Sequence, residues 1–194
     1  MRNGTRFSVM IASSNEKFDK ILTTLLPSDD YGPVEIKTSA GAARRALLDK
    51  DYDILIVNSP LKDESGVDLA VDIAKETNLS VLLLVDAQIF DEVSYIAERH
   101  GVLTLSKPTN RAVVTQSLRL LCATRNRLRK MEKQAASFEE KIKEIKLINR
   151  AKLLLMERES LDEETAHKFI EKLAMDSRSS KGRVAEEIIL RYKE

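Results

Sequence analysis

Two aliphatic runs, ILIV at residues 54–57 and VLLLV at residues 81–85, decide the fold of this chain. Each run is short, almost continuously apolar and bounded by polar residues, which is typical of a β-strand that is covered on both faces. Further apolar stretches at 7–12, 34–36 and 102–105 also fit strands. Segments with apolar residues at helical spacing alternate with these strands. This order predicts an α/β domain, with a parallel sheet of five strands doubly wound by helices.

Composition and charge limit the classes of function. The 194 residues include one cysteine, Cys122, so no disulfide can form within the chain. No apolar run approaches twenty residues and no basic-then-apolar segment opens the chain, so we expect a soluble, cytoplasmic protein that does not enter a membrane. Residues 1–118 have a net charge of −4, whereas residues 119–194 have +5. A polyanionic partner would therefore bind the C-terminal part.

A long helix is predicted to follow the sheet. From Leu121 to Ile145, apolar residues recur at alternating spacings of three and four, and this heptad repeat requires a second helix. The a positions would be Leu121, Leu128, Ala135, Ile142 and Asn149, and the d positions Thr124, Met131, Phe138 and Ile145. We expect a parallel homodimer through a coiled coil over residues 119–147. The alternative is that the stripe packs on the chain's own helices.

The last fifty residues contain four motifs that together resemble a known family. They are INRAKLLLMER at 148–158, DEETA at 162–166, AMDSR at 174–178 and VAEEII at 184–189. These motifs resemble the ANTAR domain, a three-helix RNA-binding module of bacterial transcription antitermination regulators. The resemblance implies a domain over residues 148–194 whose ligand is an RNA stem-loop.

Three helices are expected in this module. The first should end near Glu159, and Asp162 is a suitable N-cap for the second because its carboxylate can accept the free amides of the first turn. Ser177 or a nearby serine would cap the third helix. Two residues depart from the family pattern. Lys181 stands where the family usually has an aliphatic residue, and Gly182 should weaken the first turn of the third helix.

The resemblance places RNA contacts on two parts of the module. The residues carried over by motif are Arg150, Ala151 and Lys152 of the first helix and Ser177, Arg178 and Arg183 around the start of the third. The small side chain of Ala151 would let a base approach closely, whereas the cations would pair with phosphates or base edges. Helix N-termini would add amides suited to phosphate. For each cation the alternative is a solvated helix face.

Other cations are weaker candidates that rest on charge alone. They are Lys181, Arg158, Arg191 and the cluster Arg125, Arg127, Arg129, Lys130 and Lys133. The cluster lies on the long helix, where it would either flank the coiled coil in solvent or guide an RNA backbone.

Residues 1–118, which contain the strand–helix alternation and the sequence Ser106-Lys107-Pro108, resemble the receiver domain of two-component response regulators. The resemblance implies a flavodoxin-like fold, but the residues that bind Mg²⁺ and accept the phosphoryl group in receivers are replaced. Receivers hold Mg²⁺ with two acidic residues after the first strand, where this chain has Ser13 and Ser14. Asn58 stands in place of the phosphate-accepting aspartate, and an amide cannot act as that nucleophile.

Two further positions complete the comparison with receivers. Asp86 replaces the switch Ser or Thr and would repel a phosphoryl group, while Lys107 retains the phosphate-pairing lysine. We interpret residues 1–118 as a degenerate receiver that has lost phosphorylation, and a constitutively active receiver is the alternative. Four nearby acids offer an alternative cation site or, in our preferred interpretation, serve as capping and solvated loop residues: Glu16, Asp53, Asp63 and Glu64.

No catalytic site is predicted. His100 and His167 lie in separate segments without metal-ligand spacing, and no glycine-rich phosphate loop is present. We expect no metal and no cofactor. The preferred interpretation is a dimeric regulator that stabilises a two-hairpin antiterminator in leader RNA, controlled by a sensor or another regulatory protein. The alternatives are an adaptor that binds only proteins, and DNA binding through the last two helices.

Overall fold

The computed structural model describes residues 6–192 of the chain. The chain divides into two compact units, of which the first ends at Arg129 and the second begins at Lys130. Each unit has its own apolar core. The division falls inside the segment that we assigned to the coiled coil.

The first unit alternates strands and helices. Its strands are β1 (Phe7–Ser13), β2 (Tyr31–Lys37), β3 (Ile54–Asn58), β4 (Ser80–Asp86) and β5 (Leu103–Lys107). Its helices are α1 (Glu16–Thr23), α2 (Ala40–Asp49), α3 (Val67–Glu76), α4 (Phe90–Ala97) and the first part of α5 (Arg111–Glu159). Single 3-10 turns at Ala87–Ile89 and Glu98–His100 flank α4.

The five strands form one parallel sheet in the order β2-β1-β3-β4-β5. The predicted doubly wound fold is therefore confirmed. The order in which strands are added to the sheet changes direction between β1 and β3. In α/β proteins, ligands bind at such a point, beyond the carboxyl ends of the strands. The register places Ser13 opposite Asn58, and Asp86 opposite Lys107.

Helices cover both faces of the sheet. Alternate strand residues point to opposite faces, so Leu83 packs with α2, α3 and α4, whereas Leu82 and Leu84 pack with α1 and α5. Helix α1 ends at Thr23, and the turn that follows leads to Pro27, which disfavours a helical conformation for the residue before it.

The coiled-coil prediction is wrong for its first a position, Leu121. It is buried, 5% exposed, in the core of the first unit together with Val114 and Leu118. These residues share one face of α5 because they are three and four positions apart. Leu121 is therefore not available to a partner helix, and the prediction is wrong for this residue.

The second unit consists of the rest of α5 together with α6 (Glu163–Asp176) and α7 (Lys181–Arg191). Asp162 caps α6 as predicted, since its side chain accepts the N–H of Thr165. Ser180 caps α7 and is the nearby serine of our prediction, whereas Ser177 lies at the C-terminal end of α6. The core is built from residues of all three helices, among them Ala151, Leu155, Ala166, Ile170, Val184 and Ile188.

Candidate nucleic-acid interface

The carboxyl ends of β1 and β3 carry neutral side chains that already bond to protein atoms. Asn58 is buried and its Nδ2 donates to Ser13 Oγ over 3.1 Å. Ser14 Oγ donates to the carbonyl of Pro60 over 3.0 Å. Neutral hydroxyl and amide groups engaged in this way do not fit Mg²⁺, which prefers carboxylate oxygens. Among residues 6–192, no group of three or more His, Cys, Asp or Glu side chains could hold a metal ion.

Lys107 lies at the end of β5, where the receiver resemblance places it. Its Nζ is 3.2 Å from Asp86 Oδ1 and donates a hydrogen bond to the carbonyl of Ser59. Asp86 is therefore the anion that this ammonium group pairs with.

The capping interpretation of the nearby acids is confirmed for Asp63. Its two carboxylate oxygens accept the N–H groups of Ala40 and Gly41 at the start of α2, over 2.8 and 2.9 Å. These two hydrogen bonds hold the pKa of Asp63 below its ordinary value, and the bond from Gly41 has the larger effect. Glu64 pairs with Arg44 at 3.1 Å.

Asp53 has a different role from the one that we predicted. It is 4% exposed, and its Oδ2 accepts the N–H of Ser8 over 2.9 Å. Its Oδ1 is 3.2 Å from Arg125 Nε and 2.5 Å from Arg129 Nη2, and the Arg129 guanidinium also lies 5.4 Å from the Phe7 ring. The solvated-loop prediction is wrong for Asp53, because a buried carboxylate requires such partners. Arg125 and Arg129 of the basic cluster thus bind within the first unit.

The three residues carried over from the first helix of the C-terminal module have different environments. Arg150 is exposed and forms no ion pair with a described residue. Ala151 is fully buried among α6 and α7 residues, so the base contact predicted for it is wrong; its small side chain serves helix packing. Lys152 is half-buried and pairs with Glu163 at 2.8 Å, which lowers the pKa of Glu163.

Arg178 occupies a conformation that normally favours glycine. It follows Ser177 at the end of α6 with a φ of 51°. The N–H groups of Arg178 and Ser179 donate to the carbonyls of Met175 and Ala174 over 3.2 and 3.0 Å, which is the Schellman pattern of helix termination. Glycine is the usual residue at this left-handed position. The exposed Arg178 side chain has no ion-pair partner among residues 6–192.

The start of α7 differs from our expectation of a weak first turn. The N–H of Gly182 donates to Glu144 Oε1 on α5 over 3.1 Å. A Cβ atom at position 182 would lie 3.0 Å from Glu144 Cγ, so the glycine permits this close approach. Glu144 therefore caps α7 from a distant part of the sequence, a contact that the sequence did not indicate. Lys181 pairs with Glu171.

Acidic side chains lie at both helix N-termini of this unit, which disfavours the phosphate contact that we predicted there. At α7 the first amides are engaged by Glu144 and by Ser180, which accepts the N–H of Arg183. At α6 the cap is Asp162, and acidic residues occupy the first turn. Because these carboxylates would repel a phosphate, side chains of this unit are better placed than its helix N-termini to meet an anion.

The apolar stripe on α5 is exposed beyond the first unit. The side chains of Met131, Phe138, Ile142 and Ile145 are each more than half exposed. The helices of the second unit therefore do not cover these four side chains. An exposed heptad stripe of this kind favours association with another helix.

Comparison with known proteins agrees with both resemblances. The ANTAR domain family matches residues 136–189. The chain is 27% identical over 186 residues to the transcriptional regulatory protein PdtaR of Mycobacterium tuberculosis (strain CDC 1551 / Oshkosh), and the match covers 93% of this chain and 88% of that protein. The PdtaR protein of strain ATCC 25618 / H37Rv gives the same values.

Solved receiver domains share the fold. One is the signal receiver domain of an HD domain-containing protein from Pseudomonas fluorescens Pf-5, with a TM-score of 0.58, 21% identity, and coverage of 67% of this chain and 98% of that one. Another is a response regulator receiver domain protein from Clostridium thermocellum, with a TM-score of 0.55, 19% identity, and coverage of 64% and 98%. This chain has an ANTAR domain and a receiver-like domain.

The ANTAR domain includes more of α5 than the motifs suggested. We placed its start at residue 148, whereas the family match begins at 136. The bond between Glu144 and Gly182 gives a physical reason, because it joins this earlier part of α5 to α7. No helix among residues 6–192 is long and apolar enough to span a membrane.

Cations of the ANTAR domain fall into two groups. Carboxylate groups pair with Lys152 and Lys181. Arg183 has a more distant partner, since its Nε lies 3.9 Å from Glu187 Oε1. Arg150 and Arg178, like the weaker candidates Arg158 and Arg191, are exposed and form no ion pair with a described residue. Of the motif residues, Arg150 and Arg178 are therefore the best placed to meet an anionic ligand.

Proposed function

We propose that this chain is a cytosolic transcription regulator whose ANTAR domain binds RNA stem-loops. A dimer would hold two hairpins of a leader RNA as an antiterminator, and formation of this structure would exclude the terminator stem. No reaction is catalysed in this proposal. Similarity to the transcriptional regulatory protein PdtaR over 93% of the chain supports the regulatory role.

The proposal rests mainly on two exposed arginines of the ANTAR domain, Arg150 and Arg178, which form no ion pair with any residue in the range 6–192. A guanidinium group has planar donors that match phosphate oxygens and base edges. Hairpin loops expose base edges, while their stems offer phosphates and ribose hydroxyls. Arg150 on a helix and Arg178 on a fixed turn present such donors without breaking an ion pair within the described part of the chain.

Dimerisation is the second part of the proposal. Full burial of an aliphatic or aromatic side chain contributes about 1.5–3 kcal/mol, and α5 exposes four such side chains between Met131 and Ile145. Asn149, exposed at a further a position, would favour the parallel register. Since Thr124 and Ala135 contribute little apolar surface, the dimer should be of moderate stability.

The receiver-like domain would respond to a signal other than phosphorylation. Asn58 offers no carboxylate nucleophile, and Lys107 is paired with Asp86. A sensor or regulatory protein that binds this domain or masks the α5 stripe would control whether two ANTAR domains act together.

The experiment is a binding measurement with the full chain. RNAs with two fixed stems and randomised loops are selected for binding, and the selected RNA is compared with its single hairpins and with duplex DNA, with and without acetyl phosphate and Mg²⁺. We expect preference for the two-hairpin RNA, with an affinity that the phosphodonor leaves unchanged. Failure to select any RNA would contradict the proposal and favour a protein-interaction adaptor.

A further inference from the structure

Helix α5 presents three different faces within the ANTAR domain. One face packs into the core through Ile148, Ala151 and Leu155. A second carries the exposed apolar stripe through Phe138, Ile142 and Ile145. A third is exposed and basic, with Lys143, Lys146 and Arg150. At about 100° per residue, these three cations lie within about 60° of one another around the helix.

The basic face has acids only near its first end, where Glu139 and Glu140 lie four and three positions before Lys143. Lys143, Lys146 and Arg150 form no ion pair with any residue in the range 6–192. Lys146 and Arg150 have no acidic residue three or four positions away on either side, so the helix itself supplies no partner. Beyond the other end of the basic row, the next acid on this face is the more distant Glu157.

This arrangement is unfavourable in the free protein. Like charges four positions apart on a helix destabilise it by a few tenths of a kcal/mol, and Lys146 and Arg150 have that spacing. Elsewhere in the ANTAR domain, Lys152, Lys168 and Lys181 each pair with a glutamate. The basic row is thus a place where positive charge is left available to a ligand.

We propose that Lys143 and Lys146 extend the RNA site from Arg150 along α5 as a track for the phosphate backbone. This inference rests on the proposed RNA-binding function. The three cations span about 10 Å of helix, at about 1.5 Å per residue. A nucleic acid strand carries one phosphate per about 3.4 Å of its axis, so the track covers about three phosphates. Flexible lysines suit this contact, because phosphate binding fixes position without reading sequence.

The test compares two variants of equal charge in the full chain. Lys143→Gln/Lys146→Gln removes the track, and Lys168→Gln/Lys172→Gln removes two exposed lysines of α6 from the same domain. Affinity for the selected two-hairpin RNA is measured at several salt concentrations. For the track variant we expect about tenfold weaker binding at fixed salt, and a logarithmic salt slope that falls by about 1.4–1.8. The α6 variant should change both values by less than half as much.

The outcomes separate this inference from the function on which it rests. If the wild type binds the RNA and the track variant keeps its affinity and salt slope, the track is refuted while RNA binding stands. Equal losses in both variants would also overturn it, since net charge alone would explain them. A wild type that binds no RNA, or binds duplex DNA equally well, refutes the RNA-binding function itself. Retained binding by Lys143→Arg/Lys146→Arg, with an unchanged circular dichroism spectrum, would confirm that charge is what matters.

Discussion

The receiver-like domain neutralises the cations near the ends of its sheet with its own carboxylates, whereas the ANTAR domain leaves Arg150 and Arg178 exposed without a described partner. At one end of the sheet Asp86 pairs with Lys107, and at the other Asp53 pairs with Arg125 and Arg129. A charged group that is paired internally stabilises the fold but is less available to a ligand. The difference separates a scaffold from a surface that can bind a polyanion.

The largest effect should come from removing the buried carboxylate of the scaffold. Asp53→Ala leaves Arg125 and Arg129 without their shared anion, and loss of one member of a buried ion pair costs about 3–5 kcal/mol. Urea unfolding of the full chain measures this change in free energy. The exposed Asp51, two positions earlier, provides the control, since Asp51→Ala should alter stability by less than about 0.5 kcal/mol. Similar small effects for both variants would remove the contrast between the two domains.

The next largest effect concerns the binding surface. Arg150→Ala/Arg178→Ala should weaken RNA binding by about 2–6 kcal/mol, since each guanidinium contact contributes about 1–3 kcal/mol. The thermal stability of this double variant should stay close to that of the wild type, because both arginine side chains are exposed. Gel-shift titration measures the affinity, with Lys168→Ala/Lys172→Ala as the variant of equal charge. Binding that survives the double arginine replacement contradicts our site assignment.

A single position should show opposite effects on stability and binding. Arg178 has a φ of 51°, a conformation that glycine adopts without the steric penalty of a side chain. Arg178→Gly should therefore raise the free energy of unfolding by about 0.5–1 kcal/mol. Loss of the guanidinium should nevertheless lower RNA affinity about tenfold. Thermal unfolding and gel-shift titration of one preparation test both parts, and a variant that loses stability refutes the strain argument.

Much of the fold could be predicted because its signals are local. The aliphatic runs at 54–57 and 81–85 predict buried strands from a few consecutive residues, and Asp162 predicts the start of α6 from its neighbours alone. The pairing of Asp53 with Arg125 joins residues 72 positions apart, and no local pattern indicates it. The same holds for the bond between Glu144 and Gly182, which are 38 positions apart.

The candidate site was predicted only in part, for a related reason. Ala151 is compatible either with a close ligand approach or with tight helix packing, and only the position of α6 and α7 decides for packing. Among the serines near α7, the left-handed conformation of Arg178 ends α6 early and leaves Ser180 as the cap. Lys152 and Arg150 look equivalent in sequence, but Glu163 neutralises only Lys152.

Acid should affect the paired carboxylates of the ANTAR domain. Hydrogen bonds from Lys152 and Lys181 hold the pKa values of Glu163 and Glu171 below the ordinary value of 4.5. A lowered folded-state pKa contributes stability that is present above the unfolded value and is lost as pH falls through the folded one. The unfolding temperature should therefore be insensitive to these groups from pH 7 to about 5 and fall below about pH 4.5. Lys152→Gln should flatten part of this decline, and an identical acid profile in that variant would contradict the assignment to Glu163.

The smallest effect should come from the carboxyl edge of the sheet. The Asp86 side chain is 62% exposed, so its ion pair with Lys107 is screened by water and contributes less than about 0.5 kcal/mol. Asp86→Ala should leave urea unfolding and RNA affinity almost unchanged. Lys107 also donates to the carbonyl of Ser59, which keeps the ammonium group in place after the replacement. If instead Asp86→Ala changes RNA affinity about tenfold, this edge still controls the ANTAR domain, and the receiver-like domain has retained a switch that does not require phosphorylation.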